Sequence, residues 1–424
     1  MAERAFNSQA SLRQGPRPLP LHLGLATTAY LGSSAVSPRL NAGWPLLKGP
    51  LAERAATLAA EAARLDPARL VEAIDREGRR RYGLFLDGVL AYRCHPYRRT
   101  LVDPPELWRE GSTRLLDFGR EGAIPVLVVP SLVNRSYVLD LMPERSLLRA
   151  WASQGLRPLL VDWGRPGPRE QGFDLTGYVL RLQRILDVIA ELKPEARPVV
   201  VGYCMGGLLA LALAQRRRAD LSGLVLLATP WDFHAERAEE AQRVGAIGAA
   251  LMPLIEAWGE MPLDWLQAFF AFVDPLQVPR KFLGFAGLDP ASERAHLFVA
   301  LEDWLNDGVP LTVGVARDCL IGWYGENRPG RGIWQIADEA IRPERLKVPT
   351  LVVAPGADRI VPPRTATALA DRIAGAERLD PHSGHIGMVV GSGSDRTMWE
   401  PVRRWMERQA SAARPHRRRR VRRA

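Results

Sequence analysis

The stretch VVVGYCMGGLLALALA, residues 199–214, decides how the rest of the chain is read. Three valines run into Gly202-Tyr203-Cys204-Met205-Gly206-Gly207, and good helix formers follow. β-Branched side chains suit a pleated sheet, and Leu and Ala suit a helix. The pattern predicts strand, sharp turn and helix, with a cysteine at the apex. That is the layout of a nucleophile elbow, with sulfur where a serine hydroxyl is usual. Gly202 and Gly206 flank the apex, where a strained turn leaves no room for side chains. Gly207 lets the helix pack close to the sheet. A free cysteine can also be a small core hydrophobe, but four local features agree here on a nucleophile.

The chain has 424 residues, 47% hydrophobic and 25% charged, enough for a substantial core. Three cysteines, Cys94, Cys204 and Cys319, are too few and too scattered for a disulfide framework or a zinc cluster. No metal site is expected, and a reducing, cytoplasmic setting is. The N-terminus, MAERAFNSQASLRQGPRP, has no apolar core segment and does not read as a secretory signal. No stretch reaches the roughly 18–20 apolar residues of a membrane span. Net charge is +10, yet residues 411–424 (SAARPHRRRRVRRA) carry seven arginines and no acid; without them the balance is +3. The basicity is therefore mostly a tail. Such a tail is usually solvated, and its charge suits anionic polymers, nucleic acid or phospholipid surfaces. Nothing points to a fold specific for nucleic acid.

Residues 1–48 read as a loosely structured arm, followed by an Ala-rich helix over 51–65. Residues 66–110 hold a second helix and an irregular stretch containing Cys94-His95. Adjacent side chains point apart, so this dipeptide is read as two ordinary residues. From residue 112 the rhythm changes. Residues 112–118 look like an antiparallel edge strand, and 124–130 (IPVLVVP) like a strand covered on both faces. Helices over 143–153 and 175–192 alternate with strands over 157–163, 198–203 and 223–228. This βαβα order predicts a mostly parallel, doubly wound sheet. Residues 233–345 interrupt it with helical segments and five of the twelve tryptophans, Trp258, Trp265, Trp304, Trp323 and Trp334. They read as a helical cap inserted over the site. The sheet resumes at 350–354; helices over 364–373 and 395–408 follow. The expected sections are an arm and helices (1–84), a core (85–232 and 346–408), the cap (233–345) and the Arg-rich tail (409–424).

An elbow in such a sheet resembles the α/β-hydrolase fold, whose catalytic base lies in the loop after the last strand. There PHSGHIG (381–387) follows a short strand at 377–379, and His385, between glycines, is favoured over His382. At the carboxyl end of the strand before it, APGADRIVPP (354–363) offers Asp358 to orient the imidazole. The order Cys204, Asp358, His385 is the nucleophile–acid–base order of this fold. Asp232 is the main rival acid, and Asp162 a lesser one. The oxyanion needs two backbone N–H donors. Met205 follows the nucleophile, and Val133, in the turn PSLVN (130–134), is the second choice to within one residue.

With these residues in place, the chain resembles the polyhydroxyalkanoate synthase family. The resemblance rests on GYCMGG (202–207), PSLVNRSYVLDLMPERSLLRAWASQG (130–155) and VDWGRPG (161–167). It continues in EDWLNDGVP (302–310), ADRIVPP (357–363) and GHIGMVVGSG (384–393). It covers roughly residues 85–408, with Ser383 standing where the family usually has glycine. The resemblance implies polymerisation of (R)-3-hydroxyacyl-CoA through an acyl-Cys204 intermediate, with CoA as the leaving group and no other cofactor. It also implies a homodimer, leaves a second synthase subunit open, and suggests storage-granule contact, to which the Arg tail would add. The alternatives are a thioester or ester hydrolase or a polymer depolymerase on the same scaffold, and an inactive granule-binding paralogue.

Overall fold

The computed structural model describes residues 13–36, 49–194 and 197–413. Half of the expected arm, at 1–12 and 37–48, and the tail from 414 onward lie outside the described residues; the other half is not loose but carries the helices Leu19–Ala26 and Ser33–Val36. The chain divides into two compact units, 1–98 with 264–306, and 99–263 with 307–424.

In the larger unit an eight-stranded sheet forms the centre. Its strands are β1 (Glu106–Glu110), β2 (Thr113–Asp117), β3 (Ile124–Val129), β4 (Leu156–Asp162), β5 (Val199–Tyr203), β6 (Gly223–Leu227), β7 (Thr350–Val353) and β8 (Glu377–Leu379). They lie in the order β1-β2-β4-β3-β5-β6-β7-β8. From β4 to β8 the pairing is parallel; β2 is antiparallel to both its neighbours. Strands β5, β6 and β7 are buried along their whole length. Such strands need continuous apolar runs, because helices cover both faces. The helix Leu175–Leu192 coincides with the expected span; its N-cap Asp174 accepts the Gly177 N–H.

Two expectations for this unit change. Residues 112–118 are not the edge, because β1 pairs outside β2. β1 is ELWRE, charged and half-exposed, as suits an edge that resists further pairing, and so lacks the apolar pattern that reveals a strand. The helix expected over 143–153 begins at Leu147, because Arg145–Ser146 pairs with Asp140–Met142 in a small antiparallel ladder. There the buried Asp140 accepts from Ser146 Oγ (2.6 Å) and Arg149 Nε (2.7 Å), which fixes the turn.

The smaller unit is helical. Asp66 caps the helix Pro67–Cys94 by accepting the Arg69 N–H. Phe85, Val89 and Tyr92 on that helix pack with Phe282, Phe285 and Val299. The approach is close at Gly88, where a Cβ would stand 2.0 Å from the Phe282 carbonyl oxygen. The expected 233–345 block is thus not one body by contact: 264–306 groups with 1–98, while the helix Ala238–Trp258 and the segment 307–345 belong to the larger unit. Composition alone does not reveal such a grouping, since it rests on packing between residues about two hundred positions apart, Phe85 and Phe282 among them. Cys94 is exposed, and His95 is buried with Nε2 3.0 Å from the Pro290 carbonyl oxygen, so the dipeptide forms no joint site.

Candidate active site

Cys204 sits between β5 and the helix Met205–Arg216 with φ 55° and ψ −125°. A non-glycine residue at positive φ is strained, and its neighbours must hold it there. Its N–H donates to the Leu227 carbonyl (2.8 Å), and its carbonyl accepts the Gly207 N–H (2.9 Å). The glycines are sterically required. A Cβ on Gly206 would lie 2.2 Å from the Val129 carbonyl oxygen, and one on Gly207 1.8 Å from Thr229 Oγ1. The close approach at Gly206 also sets the turn after β3 directly against the elbow. Cys204 itself packs on Ala354, Val361 and Ala366, side chains that follow β7.

His385 Nδ1 lies 2.7 Å from Asp358 Oδ2, and both residues are buried. Asp358 Oδ1 accepts the N–H groups of Ile360 and Val361, each at 2.8 Å. Two backbone donors thus lock one carboxylate oxygen and leave the other for the ring. Cys204 interacts electrostatically with His385, so the structure brings together the three residues expected as nucleophile, base and acid. Tyr203 supports the ring from below: the two rings are 5.3 Å apart, and Tyr203 Oη donates to the His385 carbonyl (3.4 Å). Sequence reasoning passed over Tyr203, although an aromatic residue between two constrained elbow positions was a signal of buried packing.

The rivals are engaged elsewhere. His382 is exposed. Asp232 Oδ1 accepts from Asn327 Nδ2 (2.8 Å) and from the His234 N–H (3.0 Å). Asp162 pairs with Arg114 on β2. Met205 is the first residue of its helix, so its N–H is among those with no intrahelical acceptor. The Val133 N–H donates to Ser131 Oγ (3.1 Å), so its use as an oxyanion donor requires that bond to open. Cys319 is half-buried, in a π-helical turn Asp318–Gly325. Burial, with the charges of Asp318 and Cys204 adding to it, pushes its thiol well above the ordinary value, so Cys319 stays protonated. An aromatic group of Trp231, Phe233, Trp323, Tyr324 and Trp334 lies in the same unit.

Burial alone would lower the His385 pKa. The electrostatic interaction with Cys204 and the Asp358 hydrogen bond outweigh it, and the ring is raised to about 10. A folded value above the unfolded one, about 6.5, means that the protonated ring stabilises the fold. That contribution is complete below about pH 6.5 and is lost as pH rises through about 10. The difference in melting temperature between the protein and His385→Gln is therefore expected to narrow from pH 7 to pH 10. A difference that stays constant or widens contradicts the raised value.

Residues 126–421 match the alpha/beta hydrolase family. Over 313 residues the chain is 26% identical to the poly(3-hydroxyalkanoate) polymerase subunit PhaC of Haloferax mediterranei, a match covering 70% of this chain and 62% of that protein. Over 296 residues it is 28% identical to the subunit of the same name from Synechocystis sp., covering 68% and 78%. A thermostable carboxyl esterase from Bacillus coagulans superposes with a TM-score of 0.51 at 15% identity, over 73% of this chain and 100% of that one, a likeness of fold.

Proposed function

The chain belongs to the alpha/beta hydrolase family, and on that premise we propose that it polymerises (R)-3-hydroxyacyl groups delivered as CoA thioesters. The observation that carries the reading is the thiol of Cys204 at a strained elbow, joined to an imidazole that a locked carboxylate orients. The polymerase names of the Haloferax and Synechocystis relatives support it. The Cys204 sulfur attacks the thioester carbonyl. The carbon–sulfur bond to CoA breaks, and the CoA sulfur leaves with the proton held on His385. The acyl group then rests on Cys204 as a new thioester. Exchange between two thioesters is nearly isoenergetic, so the intermediate persists until a hydroxyl arrives. His385 next takes the proton of that 3-hydroxyl, whose oxygen attacks the acyl carbonyl and expels the Cys204 sulfur. The product is one unit longer.

In this reading CoA is part of the substrate and no other cofactor takes part. A homodimer and contact with storage granules belong to the same proposal, which leaves a second synthase subunit open. The set Cys204, Asp358 and His385 is complete, which supports an active enzyme over an inactive paralogue. Among the described residues no helix is long and apolar enough to cross a membrane. The test is to incubate the purified protein with 3-hydroxybutyryl-CoA and follow both products. Free CoA together with insoluble polyester is expected. Free CoA with stoichiometric 3-hydroxybutyrate and no polymer would make the protein a hydrolase.

A further inference from the structure

A second site lies at the opposite end of the sheet, independent of the function just proposed. The segments entering β5, β6 and β7 and the last turn of the helix Glu400–Ala412 surround a cleft of about 510 Å³. Arg197, Arg218 and Lys347 line it, with Ser222 and Gln409 between them and Ala413 at one side. No carboxylate is among the lining residues. The three cations come from three separate connectors. Backbone bonds hold these together: Ser222 N–H donates to the Pro198 carbonyl (3.1 Å), and Leu224 N–H to the Pro349 carbonyl (2.9 Å).

The second observation is Ser222 itself. It is only 4% exposed, and its Oγ has no hydrogen-bond partner among the described residues. A buried hydroxyl left unpaired is costly, so such a group calls for an explanation. The Oγ is closed to solvent as it stands, so a turn of the Ser222 side chain toward the cleft would be needed for a ligand to supply the missing partner.

The charge fixes the ligand's sign. The last helix ends here, and the partial negative charge of its carboxyl end is about half a unit. That offsets only a fraction of three cations. Residues 414–424 carry seven more arginines and no acid, so the sequence that follows Ala413 brings no counter-charge. A single phosphate is much smaller than a cleft in the size range of small-molecule sites. The cleft cannot be an extension of the catalytic site. Its residues precede the strands that Cys204 and Asp358 follow, and a five-residue strand spans roughly 16 Å.

We propose that this cleft binds an oligophosphate, free or carried by a nucleotide, with Arg197, Arg218 and Lys347 on its phosphates and Ser222 Oγ–H donating to one of them. Calorimetric titration of the full chain with sodium tripolyphosphate, at fixed ionic strength, is expected to show saturable binding of one molecule per chain. Neutralising any one of the three cations should weaken binding about tenfold. Arg218→Gln combined with Lys347→Gln should then weaken it about a hundredfold. Both side chains are exposed, so the melting temperature should stay unchanged. Changing Arg417, Arg418, Arg419 and Arg420 to Gln in the full chain should alter it only a few-fold. Binding of ATP as tight as that of tripolyphosphate would identify a nucleotide as the carrier, and tighter tripolyphosphate binding a free oligophosphate; either supports the site. Four results would overturn it: no saturable binding, inorganic phosphate binding as tightly as tripolyphosphate, equal competition by double-stranded DNA, or loss of binding in the tail variant with none in the cleft variant.

Discussion

Cys204→Ala is expected to abolish CoA release and polymer formation, with turnover falling on the order of 10⁴–10⁶-fold. Members of a nucleophile–base–acid set act as a unit, so removing the attacking atom removes the contribution of the other two. The stability of the fold should change little. Alanine fits wherever the cysteine fits, and the strained φ of 55° is imposed by neighbours rather than by sulfur. Those neighbours are the Leu227 carbonyl, the Gly207 N–H and the close approach of Gly206 to Val129. Cys204→Ser separates the roles of sulfur and position. A serine acyl intermediate is an oxygen ester, so its acylation by a thioester runs downhill and its release to a hydroxyl gains nothing further. The serine variant should also lose polymerisation, for a chemical rather than a geometric reason. Thioester consumption and polymer mass, measured on variants with unchanged melting temperatures, check both. Cys204→Ala retaining more than about a hundredth of the activity would move the nucleophile elsewhere.

Asp358→Asn should lower kcat/KM by about 10³–10⁴-fold, the size seen when the orienting acid of a Ser-His-Asp set is made an amide. The Ile360 and Val361 N–H groups still need an oxygen acceptor, so the asparagine Oδ1 stays with them. Its NH₂ group then faces His385 Nδ1, where the carboxylate oxygen stood at 2.7 Å. Nδ1 must become the acceptor, and the ring proton moves to the nitrogen facing Cys204. The ring can no longer take a proton from a thiol or an incoming hydroxyl. The variant also loses one of the contributions that raise His385 to about 10, so its ring should titrate lower, which NMR of the imidazole protons would detect. A loss of less than tenfold would shift the orienting role away from Asp358. Asp232 is already engaged by Asn327, which argues that no substitute is at hand.

The elbow and the candidate site around it were largely legible in the sequence because their signals are local. The elbow carries its own glycines, and steric approaches of 1.8–2.4 Å at Gly202, Gly206 and Gly207 explain why no other residue could stand there. His385 and Asp358 are marked by their places after the last strands. The features that escaped are those set by distant partners. β1 hides as a charged, half-exposed strand, and its role depends on β2 lying beside it. The ladder of Asp140–Met142 with Arg145–Ser146 shortens a helix that the local pattern alone would extend. The grouping of 264–306 with 1–98 depends on residues such as Phe85 and Phe282, and Trp265 and Trp304 go with it rather than with Trp323 and Trp334. The Val133 N–H was a reasonable second oxyanion donor by position, yet Ser131 two residues earlier engages it. The lone hydroxyl of Ser222 has no signature in the sequence at all, since only burial makes it unusual.

In the proposed cycle an acyl group rests on Cys204 between additions. Intact-mass spectrometry of the full chain, quenched in acid within seconds of mixing with 3-hydroxybutyryl-CoA, tests it most directly. The expected result is an added 3-hydroxybutyryl mass, mapped by peptide fragmentation to Cys204, and a ladder of further adducts in whole monomer steps. Cys204→Ala should show none of them. A protein that consumes the thioester without any mass on Cys204, or carries a single unit that never extends, would contradict it.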